Sequence, residues 1–436
     1  MATADSVLQG QRRRRATVGA FVGTAIEWYD FFIFGTAAAL VFGKVFYPDV
    51  SPAAGVLASF ATFWVGFLAR PLGGIVFGHL GDRLGRKNVL VATLFLMGGA
   101  TTLIGVLPTY AQIGVAAPVL LVLLRAAQGL AVGGEWAGAT LMATESAEGS
   151  KKTMAGTWVQ QGSPAGSILA TLMFMMVGSL PDGAFLAWGW RIPFLFSAVL
   201  VIVGLIIRSK VEESHEFLEA KQHQEVVKVP VVTAFKTAPA LVWLGVGASI
   251  LGIAAAFFNN TFLLSWTTTE LGMPRQQILN ALFIIAIVQF IWQPIAAVIA
   301  GRIGRTRVMI LAILVNLVAV IPLFLAILSG NIVFLVLMLC VTTIGGAGYY
   351  AMLASFLADA FPANIRFTGV ALANGLCASI IGGSTPLIAQ SVLNGFGPWG
   401  VAGFYAVLVI ATLLAVWGMS RRTGAAVTEA PIRQHA

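Results

Sequence analysis

Stretches of about 20 or more predominantly apolar residues recur along this chain, each long enough for an α-helix to cross roughly 30 Å of hydrocarbon at about 1.5 Å per residue. Twelve can be counted in the 436 residues, at approximately 17–43, 54–80, 88–107, 117–143, 153–180, 191–208, 239–265, 276–300, 306–329, 331–357, 365–395 and 398–420. The pattern predicts an all-α integral membrane protein. Only 10% of residues are charged, against about 25% in soluble domains, which excludes a water-soluble core of this size. Long alternating segments are missing, which disfavours an outer-membrane barrel. The first run follows QRRRR and has no small-residue cleavage site after it, so it reads as a retained helix.

The formal net charge of +9 is distributed by topology. Of the 26 Lys and Arg, 21 fall in the tails and the alternate loops that share one side under twelve crossings, from the Arg12–Arg15 cluster to Arg433. Three fall opposite: Lys44, Arg191 and Arg275. The positive-inside rule then places both termini in the cytoplasm and removes the need for a nucleic-acid partner. Cys340 and Cys377 lie in separate apolar runs and read as small buried hydrophobes.

The longest polar stretch, Lys210 to Pro230, divides the runs six and six. The expected organisation is a tail over 1–16, a six-helix half over 17–208, a linker over 209–238, a second half over 239–420 and a tail over 421–436. The halves carry related loops. GHLGDRLGRKN (78–88) has a weaker copy in AGRIGRTR (300–307), with Gly85 and Gly304 219 positions apart. ESAEGSKKTMAG, from Glu145, is echoed by DAFPANIRFTG, from Asp359, 214 positions on. Parallel six-helix repeats are a transporter architecture.

In the first of these loops Gly78, Gly81 and Gly85 permit a tight turn and close helix approach, while Asp82 can pair with Arg83, Arg86 or Lys87 across helices. Gly78, Leu80, Asp82, Arg83, Gly85, Arg86 and Lys87 together resemble the signature loop of the major facilitator superfamily, and Arg125, Gln128 and Gly129 in RAAQGLAVGGEW resemble its fourth-helix motif. EWYDFFIFG, FLARPLGGIVFGHLGDRLGRK and WGWRIPFLFS are similar to the bacterial metabolite:proton symporters, the shikimate-transporter branch in particular. The resemblance implies a major facilitator fold of twelve helices and a gating role for the loop. The second-half copy has Gly301 where the acid is usual, which leaves a second ionic lock without its expected partner.

Five ionisable residues lie within the apolar runs: Glu27, Asp30, Arg70, Arg125 and Glu135. A charge in hydrocarbon costs about 2.5 to 3.5 kcal/mol even on insertion scales, so such groups face an interior cavity and pair. Glu27 and Asp30 are three positions apart on one helix face, about 4.5 Å along the axis. Mutual repulsion and desolvation penalise double ionisation, as a proton carrier requires. Because helices one and four line the central cavity in this superfamily, the resemblance implies an Asp30–Arg125 pair, with Glu27 as the alternative acid. Arg70 and Glu135 stand at similar depth and are expected to form a second intramembrane pair, with Arg70 also available to an anion.

Candidate substrate contacts are Tyr29, Gln128, Gln160 and Gln161 in the first half, and Asn259, Asn260, Gln289, Trp292, Gln293 and Asn374 in the second. GTWVQQGSPAGS, with Gly162, Pro164 and Gly166, reads as a packing face and loosely resembles a proton-antiporter motif. The four histidines form no metal motif, and no GxxxxGK[ST] phosphate loop is present, so neither a cofactor nor ATP is expected beyond the proton as coupling ion. The expected activity is secondary active, proton-coupled uptake of a small organic acid such as shikimate by alternating access. An exporter or exchanger, or a symporter of zwitterionic osmolytes, is the alternative; an enzyme is not expected.

Overall fold

The computed structural model describes residues 2–84, 86–133, 150–209, 230–362 and 365–429. Among these residues there is no strand. Twelve helices traverse the molecule: α1 (2–45), α2 (52–84), α3 (Arg86–Val106), α4 (Ala116–Val132), α5 (150–178), α6 (182–209), α7 (Pro239–Thr269), α8 (Arg275–Ile303), α9 (Arg305–Leu328), α10 (Ile332–Ala360), α11 (366–396) and α12 (398–429). The last two are separated at Gly397, whose φ of 68° breaks an otherwise continuous helical run ahead of Pro398.

Local chemistry sets the helix ends. Ser51 accepts a hydrogen bond from the Ala54 N–H and precedes Pro52, whose missing N–H is no loss in a first turn. Asn331 accepts from Val333 and Phe334 at the start of α10. Between α8 and α9 Gly304 adopts φ 96°, a conformation that favours glycine, and so turns one helix directly into the next. Its counterpart Gly85 lies outside the described residues.

Helix irregularities repeat along the chain. A π-helical turn occupies Ala38–Phe42 in α1 and another begins at Phe258 in α7, 220 positions later. The interruption of α5 at Gln161 is matched by the π turn of α11 from Ala378, 217 positions later. These offsets agree with the 219-residue spacing of the loop glycines.

Lipid offers apolar side chains no hydrophobic reason to leave it, so helices associate through close packing and hydrogen bonds. A Cβ at Gly129 of α4 would run into the Gly66 carbonyl of α2, and one at Gly66 into the Arg125 side chain; Gly162 and Gly166 of α5 lie as tightly against Thr24, Ala25 and Trp28 of α1. The GSPAGS stretch is therefore a packing face. A seam joins the first six helices to the last six. Across it Thr157 and Gln160 of α5 donate to the Ala351 and Tyr350 carbonyls, Gln161 donates to the Phe290 carbonyl, and Trp64 of α2 donates to the Ser379 carbonyl at 2.7 Å. The Ser379 hydroxyl returns a bond to the Phe67 carbonyl. On the face away from the termini, Arg275 reaches over the Phe185 ring to the carbonyls of Gly178 and Leu180 and to Asp182.

Candidate functional site

The close approach of α2 and α4 carries Arg125 into the middle of the first six helices, where it is 1% exposed. Its Nε donates to the Phe63 carbonyl at 3.2 Å, and its guanidinium centre lies 4.2 to 5.7 Å from the ring centres of Phe34, Phe31, Phe63 and Phe67. Desolvated cation–π contacts of this kind are worth about 2 kcal/mol. Nη1 donates to Gln128 Oε1 at 3.0 Å, Gln128 Nε2 donates to Thr101 Oγ1 at 2.6 Å, and the Thr101 hydroxyl lies 2.8 Å from Asp30 Oδ2. Ser197 of α6 donates to Asp30 Oδ1, also at 2.8 Å.

The expected Asp30–Arg125 contact is thus replaced by a relay. An amide and a hydroxyl stand between the two charges, because donors on α3 and α6 reach the carboxylate while Phe63 and the aromatic rings hold the guanidinium. Thr101 and Ser197 were not anticipated from sequence. A lone hydroxyl in an apolar helix commonly bonds its own backbone, as Thr101 also does toward Met97 O, and so gives no signal.

Glu27 points elsewhere. Its Oε1 accepts from Arg70 Nη2 at 3.3 Å, and the Arg70 guanidinium lies over Phe31 and Phe67 at 4.2 and 4.7 Å. Among the described residues the ion-pair partner of Arg70 is Glu27; Glu135, the partner expected for it, lies outside the described residues. Tyr350 of α10 is near enough to interact electrostatically with both members of the pair. Arg70 Nε has no hydrogen-bond partner.

Tyr350 also lines a cavity of about 50 Å³ between α7, α8 and α10, bounded by Asn259, Asn260, Gln289, Thr342, Thr343, Tyr405 and Ser167. Ligand pockets usually measure a few hundred Å³, so the helices must part to admit a ring-sized solute. Asn259, Asn260 and Gln289, candidates from the sequence, all line it. Trp292 and Gln293 sit on the same helix without lining the cavity; Trp292 Nε1 and both amide atoms of the fully buried Gln293 lack partners. Asn374 is half-buried on α11, outside the cavity wall.

The first-half candidates serve internal bonds. Tyr29 donates to the Pro193 carbonyl at 2.7 Å, Gln128 belongs to the relay, and Gln160 and Gln161 bind seam carbonyls. In the signature loop the side chains of Gly78, Asp82, Arg83 and Arg86, like Gly85 as a whole, lie outside the described residues. Its second-half copy does hold an ion pair despite Gly301: Arg305 Nη1 meets Asp359 Oδ2 of α10 at 2.8 Å. The acid comes from a helix end and not from the loop.

The family model described as Major Facilitator Superfamily matches residues 20–386. The chain belongs to the major facilitator superfamily. This facilitator is 39% identical to the shikimate transporter of Escherichia coli (strain K12), over 92% of this chain and 93% of that one. It is 38% identical to the inner membrane metabolite transport protein YhjE of the same organism, over 93% of each, and 31% identical to its proline/betaine transporter, over 96% and 85%. Among solved structures, the D-xylose-proton symporter superposes with a TM-score of 0.73 at 17% identity, over 93% of this chain and 97% of that one, which establishes the fold. The facilitator is a multi-pass membrane transporter and not an enzyme.

Proposed function

We propose that this transporter takes up a small organic acid together with a proton, and that Asp30 is the proton-carrying group. The observation behind this reading is the relay from Asp30 through Thr101 and Gln128 to Arg125. Two hydroxyls serve a carboxylate as donors, and a hydroxyl can turn to accept from the protonated acid, so both states of Asp30 are accommodated without rearranging the helices. Arg125 supplies charge compensation at one remove, and its cage of rings keeps water from competing for it.

Similarity to shikimate and proline/betaine transporters supports a carboxylate-bearing solute, with a hydroxylated cyclic monocarboxylate as the first choice and a zwitterionic osmolyte as the second. The amides and hydroxyls of the cavity suit hydroxyl groups. In this reading the two six-helix halves rock about the seam, the face bearing the termini is cytoplasmic, and the membrane is the inner membrane. The test is uptake into proteoliposomes of labelled shikimate, benzoate, 2-oxoglutarate and glycine betaine under an imposed inward pH gradient. Accumulation that collapses with the gradient is expected; equal uptake without it would eliminate symport.

A further inference from the structure

Three helices of the second half converge on one buried amide. Asn316 of α9 is fully buried; its Nδ2 donates to the Thr342 carbonyl of α10 at 2.8 Å, and its Oδ1 accepts from the Tyr405 hydroxyl of α12 at 3.2 Å. A Cβ at Gly345 of α10 would stand 2.6 Å from that nitrogen, so the contact depends on a bare backbone there. Thr342 and Tyr405 also line the cavity, beside Asn259, Asn260 and Gln289. We propose that Tyr405 is a specificity-determining residue, an acceptor for a hydroxyl of the solute, and that Asn316 is the positioning residue that makes it one. This rests on the organic-acid reading above and narrows it to carboxylates that carry hydroxyl groups.

The direction of each hydrogen bond follows from its partners. A main-chain carbonyl only accepts, so the atom of Asn316 that meets Thr342 is the amide nitrogen, and the atom left for Tyr405 is the oxygen. The Tyr405 proton is thereby committed to Asn316, and what the phenol oxygen can offer the cavity is its lone pairs. Phe258 packs its ring 4.8 Å from that of Tyr405, so the phenol is held at both ring and hydroxyl. Asn260 is fixed in the same way: its Nδ2 donates to the Ala256 carbonyl of its own helix at 2.9 Å, which leaves Oδ1 as a second acceptor on the wall. A carboxylate can only accept and is turned away from both oxygens, whereas a hydroxyl can donate to either. Glycine betaine, whose trimethylammonium group has no N–H or O–H, cannot.

The place of this network in the duplicated fold points the same way. Asn316 follows Thr101 by 215 residues and Thr342 follows Gln128 by 214, within the spacing of the repeated loops. In the first half the corresponding amide bond, from Gln128 to Thr101, leads on to Asp30. In the second half it leads to a phenol, and α7, the counterpart of α1, contains no Asp or Glu between Pro239 and Thr269. Equivalent positions thus carry an ionisable group in one half and neutral acceptors in the other. The proton belongs to the first half and the hydroxyls of the solute to the second.

The test is equilibrium binding to the full-length protein in lipid nanodiscs at a fixed pH. The probes are shikimate, cyclohexenecarboxylate, which has the same ring and carboxylate without hydroxyls, and glycine betaine. Wild-type protein should prefer shikimate to the deoxy acid by about tenfold or more. Tyr405→Phe keeps the ring and its packing but removes the acceptor; it should weaken shikimate about fivefold to tenfold and leave the deoxy acid within about twofold of wild type. Equal losses for both acids would mark Tyr405 as structural, and no loss for shikimate would take it out of the site; either result overturns the proposal. Asn316→Leu should narrow the preference while Tyr405 is present, and change it by less than about twofold when added to Tyr405→Phe; additive losses would overturn its positioning role. If wild-type protein binds the two acids alike while gradient-driven uptake succeeds, the selectivity falls and symport stands. If it binds glycine betaine and neither acid, the organic-acid reading falls as well.

Discussion

Gly66 of α2 and Arg125 of α4 depend on one another: a Cβ at position 66 would stand 2.5 Å from Arg125 Nε. The hydrogen bond from Nε to the Phe63 carbonyl and the seating of the guanidinium among the rings therefore require a bare backbone at this point. Overpacking a fixed site costs about 1 to 3 kcal/mol, so Gly66→Ala should lower the initial uptake rate about tenfold or more. Gly99→Ala, where nothing lies within 4 Å of the added carbon, should leave it unchanged. Rates in proteoliposomes, normalised to inserted protein, make the comparison.

Thr101 and Thr102 are adjacent hydroxyls with different duties. Thr102 bonds only its own helix, at Gly98, whereas Thr101 accepts from Gln128 and serves Asp30. Thr101→Val preserves shape but leaves a buried amide donor unsatisfied, at a cost of about 1 to 3 kcal/mol. It should slow gradient-driven uptake about tenfold, while Thr102→Val stays near wild type. Parallel transport assays of the two variants separate relay from packing.

If Asp30 carries the proton, uptake must rise as the external pH falls, because the outward-facing acid has to be protonated before the halves rock. Asp30→Asn should flatten that dependence while allowing equilibrium counterflow of preloaded substrate. One proton accompanying a monoanion moves no net charge, so an imposed potential, worth about 2.3 kcal/mol per charge at about 100 mV, should leave the wild-type rate unaltered. Valinomycin-clamped liposomes measure both effects.

Arg275 ties α8 to the end of α5 by contacts of unequal value. Asp182 is 86% exposed, and exposed ion pairs contribute at most about 1 kcal/mol. The bonds to the Gly178 and Leu180 carbonyls, at 2.8 and 3.1 Å from Nη2, cap a helix end with a cation. Asp182→Asn should therefore leave transport unaffected, whereas Arg275→Gln should favour opening on this face. Faster labelling of a cysteine placed at Gly178 by an impermeant maleimide reports the shift.

The twelve crossings were legible because hydropathy is a local property, and the fourth-helix motif was legible as a string of residues, although its Arg125 was expected to meet Asp30 and instead bonds Gln128, three positions along the same helix. What could not be read was direction around the helix axis. Three residues turn about 300°, which leaves Glu27 and Asp30 roughly 60° apart. In a tightly packed helix that difference sends Glu27 to Arg70 at the seam and Asp30 to α3 and α6 inside the bundle. Depth alone likewise gave no sign that Arg70 would meet Glu27, since the order of neighbours around each helix depends on the whole assembly. Tyr29 shows the same limit: a phenol that could face a solute is turned to the Pro193 carbonyl of α6.

The seam bonds of Thr157, Gln160, Gln161, Trp64 and Ser379 all end on main-chain carbonyls. Such a joint is indifferent to which side chain sits opposite. Replacing Ala351, Tyr350 or Phe290 would leave the acceptor in place, so the facing helices are free to diverge without losing the joint. On one helix face carbonyls recur about every turn, roughly 5 Å apart, so a donor that leaves one has another of the same kind within reach along the helix. If the halves rock as proposed, such a joint offers its donors a row of equivalent acceptors on which to re-engage.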